Sequence, residues 1–285
     1  MSKENSTKNI RTAFFLNLGF AFVELIGGII TNSVAILSDA IHDFGDSISL
    51  AIAWALQKKS NKPKDEKYSY GYKRFSLLSS VILSGILLIG SILILIEAIT
   101  RLFSPQDVNA QGMLWLAILG IIVNGLAALS VKRGKTLNER AVFLHIMEDV
   151  LGWIGVLVIS IVMIFVNLPI LDPILSISIT IWVLYNVYKN LKATFNILLQ
   201  AFPKNVDVKK LTKEIEAIDN VISIHDLHIW TQDGLSHVMT LHIVAEKNYE
   251  TIKIKVREMV KAYNIDHVTI ELEDKYSSCE EKTQS

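Results

Sequence analysis

Two histidine–aspartate pairs share one spacing. His42 and Asp46 stand four residues apart in SDAIHDFGD, and His145 and Asp149 four apart in HIMED. Four residues is slightly more than one helical turn, so each pair lies on one helix face. Asp39, three residues before His42, extends the first stripe and is a candidate gate or proton relay, whereas Asp43 is turned roughly 100° away. Glu148, three after His145, is a competing acid on nearly the same face. Two imidazole nitrogens and two carboxylate oxygens suit tetrahedral Zn²⁺, with Cd²⁺ or Co²⁺ as alternatives of similar softness. Calcium or magnesium would call for more oxygens and no imidazole. The ligand set lacks cysteine, which fits an ion in transit. Such ligands bind metal only as neutral histidine and ionised aspartate, so loading releases protons and protonation ejects metal. That competition can couple metal export to proton import.

Both pairs sit where charge is expensive. SVAIL precedes the first and SISLAIAWAL follows it, and an ionisable group at mid-bilayer costs about 2.5 to 3.5 kcal/mol on insertion scales. The chain of 285 residues is 51% hydrophobic and 20% charged, with a mean hydropathy of +0.39. A span needs about 20 mostly apolar residues. Six stretches meet or approach this: 12–30, 34–56, 77–100, 113–131, 141–166 and 170–187. TNS, SPQDVNAQG and NLP supply turn chemistry between them. Lysines and arginines crowd one side: Lys3, Lys8, Arg11, the run from Lys58 to Arg74, Lys132 to Arg140, and Lys189 and Lys192. Arg101 alone marks the other side, which predicts cytoplasmic termini and an even number of crossings. No cleavable leader is evident, and the first span is expected to remain as an anchor.

Beyond Pro203 the composition becomes that of a mixed soluble domain. VDVKKLTKEIEAI has helical periodicity, VISIHDLHIWT and SHVMTLHIVAE alternate as strands about a QDG turn, YETIKIKVREMVKAY reads as a second helix, and HVTIELE as a last strand. This order, αββαβ, predicts a small α+β domain of the ferredoxin-like type. The predicted organisation is an N-terminal segment at 1–11, a six-helix transmembrane domain at 12–190, a cytosolic domain at 203–275 and a polar tail at 276–285. Cys279, the single cysteine, excludes a disulfide within the chain. Lysine plus arginine and aspartate plus glutamate both number 28, so net charge indicates no nucleic-acid partner. No GxxxxGK[ST] loop indicates a nucleotide.

SVAILSDAIHDFGD, ERAVFLHIMEDVLG, YSYGYKRFSLL and VISIHDLHIWT, taken together, resemble the cation diffusion facilitator family of the zinc-transporting HxxxD type. The likeness runs from Thr12 to about Glu273. It implies a homodimeric metal²⁺/H⁺ antiporter working by alternating access, with His42, Asp46, His145 and Asp149 as its transport site. It also implies a cytosolic dimerising domain whose regulatory metal positions match His225, His242, Glu271 and Glu273. Glu271 and Glu273 depart from the histidine-then-aspartate pattern that this strand can carry in the family. Tyr72 stands where a histidine would complete a loop site, and KRGKTLNER between the fourth and fifth spans has no histidine run. Family members that carry iron or manganese tend toward aspartate in the first position. The short loops suggest a bacterial plasma membrane.

Two other function classes compete. An intramembrane zinc metalloenzyme needs an open coordination position and a base; no HExxH occurs, and Glu148 is the obvious spare base. A membrane-anchored metal sensor would have no use for acids inside its spans. Among the remaining polar residues, His225 and His228 differ by three and are expected on opposite strand faces, and His237 is expected to be exposed. Asn124 and Glu97 fit interhelical hydrogen bonding or an interfacial position better than ligation. Glu24 suits either the transport route or packing, and Asp172, beside Pro173, an ordinary helix end.

Overall fold

The computed structural model describes the backbone of residues 3–60, 62–131 and 137–276. Side chains at 1–14, 16–17, 46, 49–51, 53–55, 57–58, 61, 130–145 and 277–285 lie outside the described residues, and these include Asp46 and His145. The chain forms two compact units, one of residues 1–55 and 79–191, the other of 56–78 and 192–285.

The first unit is built from long helices: α1 (Lys3–Thr31), α2 (Val34–Ser60), α3 (Phe75–Phe103), α4 (Ala110–Val131), α5 (Leu137–Val166) and α6 (Leu171–Leu198). Among the described residues four stretches are long and apolar enough to cross a membrane: Phe75–Phe103, Ala110–Leu129, Ile146–Val166 and Leu171–Leu198. A shorter apolar helical stretch covers Leu18–Thr31 in α1. The acids of α2 set that helix apart.

Phe20 of α1, Met113 and Ala117 of α4 and Trp153 and Val156 of α5 make one core. Gly120 lets α4 and α5 meet, because a Cβ there would lie 2.3 Å from Trp153 Cδ2. Val34 of α2 packs with Ile94 and Ala98 of α3, and Leu87 of α3 with Val183 and Val187 of α6.

The second unit holds α7 (Val208–Glu216), β1 (Val221–Thr231), β2 (His237–Ala245), α8 (Tyr249–Met259), a 3₁₀ turn (Val260–Tyr263) and β3 (Ile265–Glu273). Asp207 caps α7 by accepting from Lys210 N at 3.1 Å. The sheet order is β1-β2-β3, with β1 antiparallel and β3 parallel to β2. Leu211, Ile215, Ile252 and Val256 of the helices pack on Met239, Leu241 and Ile243. Alternation along a strand then sends His242 to the other face.

The turn read at QDG is a longer loop over 232–236. Asp233 Oδ1 accepts from Leu235 N and Ser236 N at 2.9 and 2.8 Å, and Gly234 takes φ +92°. The α2–α3 connector packs within this unit. Lys73 Nζ donates to Ser236 Oγ at 2.7 Å and Asp266 Oδ2 at 3.0 Å, and Tyr70 meets Trp230 and His267 edge-on. The Lys73 ammonium holds the Asp266 carboxyl below its usual range.

Candidate metal sites

In the membrane unit, α2 presents Asp39 and Asp43, both buried, and His42, half-buried. Asp149 of α5 is buried, while Glu148 beside it is exposed and does not compete for its position. The Asp39 carboxylate overlies α5 at Gly152, where a Cβ would sit 3.9 Å from its Oδ1. Glu24 of α1 is fully buried and within electrostatic reach of both Asp39 and Asp149, beside the Asp43 carboxyl and the Trp153 indole. Acids from three helices therefore converge on one buried region. Asp43, which the helical wheel turns away from His42, turns toward Glu24. Asp46 and His145 lie outside the described side chains.

Other polar groups in the spans have local duties. Among the described residues Asn124 Nδ2 donates to Gly120 O of its own helix at 3.2 Å. Arg101 Nε donates to Glu97 Oε1 one turn earlier at 2.8 Å.

In the second unit, His225 pairs directly with His242 across β1 and β2, and His242 with Glu271 across β2 and β3. The His225 and His242 rings are 5.2 Å apart. His242 Nδ1 lies 2.7 Å from Glu273 Oε1, and His225 Nε2 lies 3.4 Å from the same oxygen. Donor atoms of His225, His242 and Glu273 all lie within 4.8 Å of one another, which fits three corners of a tetrahedral ion. Glu271 is exposed and stands 3.5 Å from His242 Nε2, at the rim.

Strand alternation missed a bulge here. The register shifts between His225 and His228, and Asp226 takes φ +47°. His225 and His228 therefore pair with His242 and Thr240, two residues apart, and share a face instead of opposing. Asp226 accepts from His228 Nε2 at 2.7 Å and lies 3.7 Å from His242 Nε2. His237, expected at the surface, is fully buried, with Asn205 Nδ2 donating to its Nε2 at 3.1 Å. Burial lowers its pKa below the ordinary histidine value. Tyr72 donates to Asp65 Oδ2 at 2.6 Å, which depresses the Asp65 pKa and raises that of Tyr72 to about 12.

Helices that bury carboxyl groups among apolar spans, joined to a small sheet bearing a histidine cluster, define a membrane protein that handles cations. A family model described as the cation efflux transmembrane domain matches residues 10–199, and one described as the cation efflux protein cytoplasmic domain matches 203–275. The chain is 35% identical over 275 residues to the cadmium, cobalt and zinc/H(+)-K(+) antiporter of Bacillus subtilis, covering 93% of this chain and 88% of that one. It is 34% identical over 273 residues to the metal cation efflux system protein CzcD of Cupriavidus metallidurans, covering 93% and 86%. It is 30% identical over 286 residues to the zinc transporter ZitB of Escherichia coli, covering 98% and 90%. The chain belongs to the cation efflux family, and it is a multi-pass membrane transporter.

Proposed function

We propose that this protein exports Zn²⁺, and also Cd²⁺ or Co²⁺, from the cytoplasm in exchange for protons by alternating access. His42, Asp46, His145 and Asp149 form the transport site, with Asp39 as gate or proton relay. Six helices span the bilayer with both termini cytoplasmic, in a bacterial plasma membrane. Residues 1–11 precede the transport domain at 12–190; residues 203–275 form a ferredoxin-like domain that dimerises, and 276–285 a polar tail. His225, His242 and Glu273, with Glu271 at the rim, hold a regulatory ion.

The convergence of Glu24, Asp39 and Asp149 from three helices carries this reading, because it brings the two HxxxD helices to one buried acidic region. The names of the relatives support the cargo and the counter-ion. Zinc uptake into everted vesicles under an imposed pH gradient tests it. Uptake should follow the gradient, and should vanish in Asp46→Ala and Asp149→Ala; uptake unchanged in both variants would contradict the mechanism. Comparing wild type with His42→Asp across metals tests the cargo, since oxygen replacing imidazole favours harder cations.

A further inference from the structure

Asp172, the second residue of α6, is fully buried, and its hydrogen-bond partners among the described residues lie at the start of α2. Oδ1 accepts from Ser33 Oγ at 2.5 Å and from Ala35 N at 3.3 Å, and Oδ2 accepts from Val34 N at 2.8 Å. Ser33 Oγ in turn accepts from Ile36 N at 3.1 Å. First-turn amides have no partner within their own helix, and the helix start carries partial positive charge. A carboxylate from α6 thus caps α2 across 138 residues of sequence.

The same corner is held from two further sides. Arg101 of α3 donates through Nη1 to Asn32 O at 2.6 Å and through Nη2 to Asn32 Oδ1 at 3.0 Å. Asn32 itself takes φ +54°, and its Nδ2 donates to Asp107 O at 3.0 Å. Farther along, Ser176 Oγ donates to Val34 O at 3.4 Å, and the Ser38 and Thr180 hydroxyls lie 3.2 Å apart. Directional bonds of this kind fix both the height and the rotation of α2, where apolar packing alone would tolerate sliding.

We infer that Asp172 is a positioning residue for transport: it sets where α2 aims His42 and Asp46. The inference rests on reading those two residues as ligands. Full-length protein in proteoliposomes, with zinc uptake driven by a pH gradient, tests it in wild type, Asp172→Ala, Asp172→Asn and Asp46→Ala. Asp172→Ala should raise KM for zinc about tenfold, as α2 leaves the position its cap holds, with turnover per folded protein changed far less. Asp172→Asn retains one acceptor for the Val34 amide and should fall between. A wild-type KM in Asp172→Ala, with rate reduced only in proportion to folded protein, would make Asp172 a fold stabiliser and overturn the inference. If the alanine variant does not fold, a wild-type KM in Asp172→Asn overturns it equally. Asp46→Ala separates the two readings. A wild-type KM there refutes the ligand assignment, whereas loss of uptake there beside normal Asp172 variants refutes positioning alone.

Discussion

The molecule gathers histidines and acids in two places, and the surroundings differ. In the membrane unit, Glu24, Asp39, Asp43 and Asp149 are buried in helices chosen for apolar packing, and Glu24 meets three other carboxyl groups and an indole. Acids confined in that way favour a cation that enters and take up protons when it leaves. On the sheet, His242 is already held by Glu273 and approached by Asp226 and Glu271. Glu273 Oε1 already reaches His242 at 2.7 Å and His225 at 3.4 Å, so an ion entering there would adjust an arrangement that exists without it. On the proposed function, the first region passes an ion and the second keeps one.

The contrast can be broken most directly in the membrane. Asp149→Ala should lower zinc transport on the order of 100-fold or more, and Asp46→Ala likewise, measured as initial uptake into vesicles. His242→Ala should instead remove one bound zinc per chain, counted by elemental analysis of purified protein, while transport continues. If His242→Ala stopped transport as fully as Asp149→Ala, the two regions would have one job. Gly120→Ala sharpens the packing side: its Cβ meets Trp153, and overpacking should destabilise the unit by about 1 to 3 kcal/mol, read as a lower Tm in detergent.

The smallest effect concerns His237. Because burial lowers its folded pKa, the unfolded chain takes up the proton first. Stability is then full above the ordinary value of about 6.5 and declines as pH falls from there toward the folded pKa. His237→Gln should flatten that decline, followed by hydrogen exchange of β2 amides in the full-length protein between about pH 7.5 and 5.5. An unchanged pH dependence would assign the acid sensitivity elsewhere.

Much of this was legible in the sequence where a signal repeats or is local. Apolar runs mark the long helices, and turn residues mark their joints. Only the family resemblance names His225 and His242 together, and the sheet pairs them. What stayed hidden depended on partners far along the chain or on a break in periodicity. Asp172 looked like an ordinary helix end because Val34, which it caps, is 138 residues away. His237 looked exposed at a strand start because Asn205, which covers it, precedes α7. Glu24 offered no periodic signal, and only the convergence of α1, α2 and α5 gives it neighbours. His225 and His228 were assigned opposite faces because counting by twos cannot foresee a bulge.

That bulge has a consequence for chain length. Between the pairs His225–His242 and His228–Thr240, β1 spends two residues opposite one of β2. Deleting Asp226 would therefore leave the ladder unbroken from Ser223 to Thr231, with Ile229 still turned inward and a left-handed backbone conformation removed. The sheet has no need of the extra residue, whose carboxylate lies against His228 and His242. Homologues one residue shorter at this point should fold as readily and lack the carboxylate, so a gap in an alignment here would mark the loss of an acid from the histidine cluster while leaving architecture untouched.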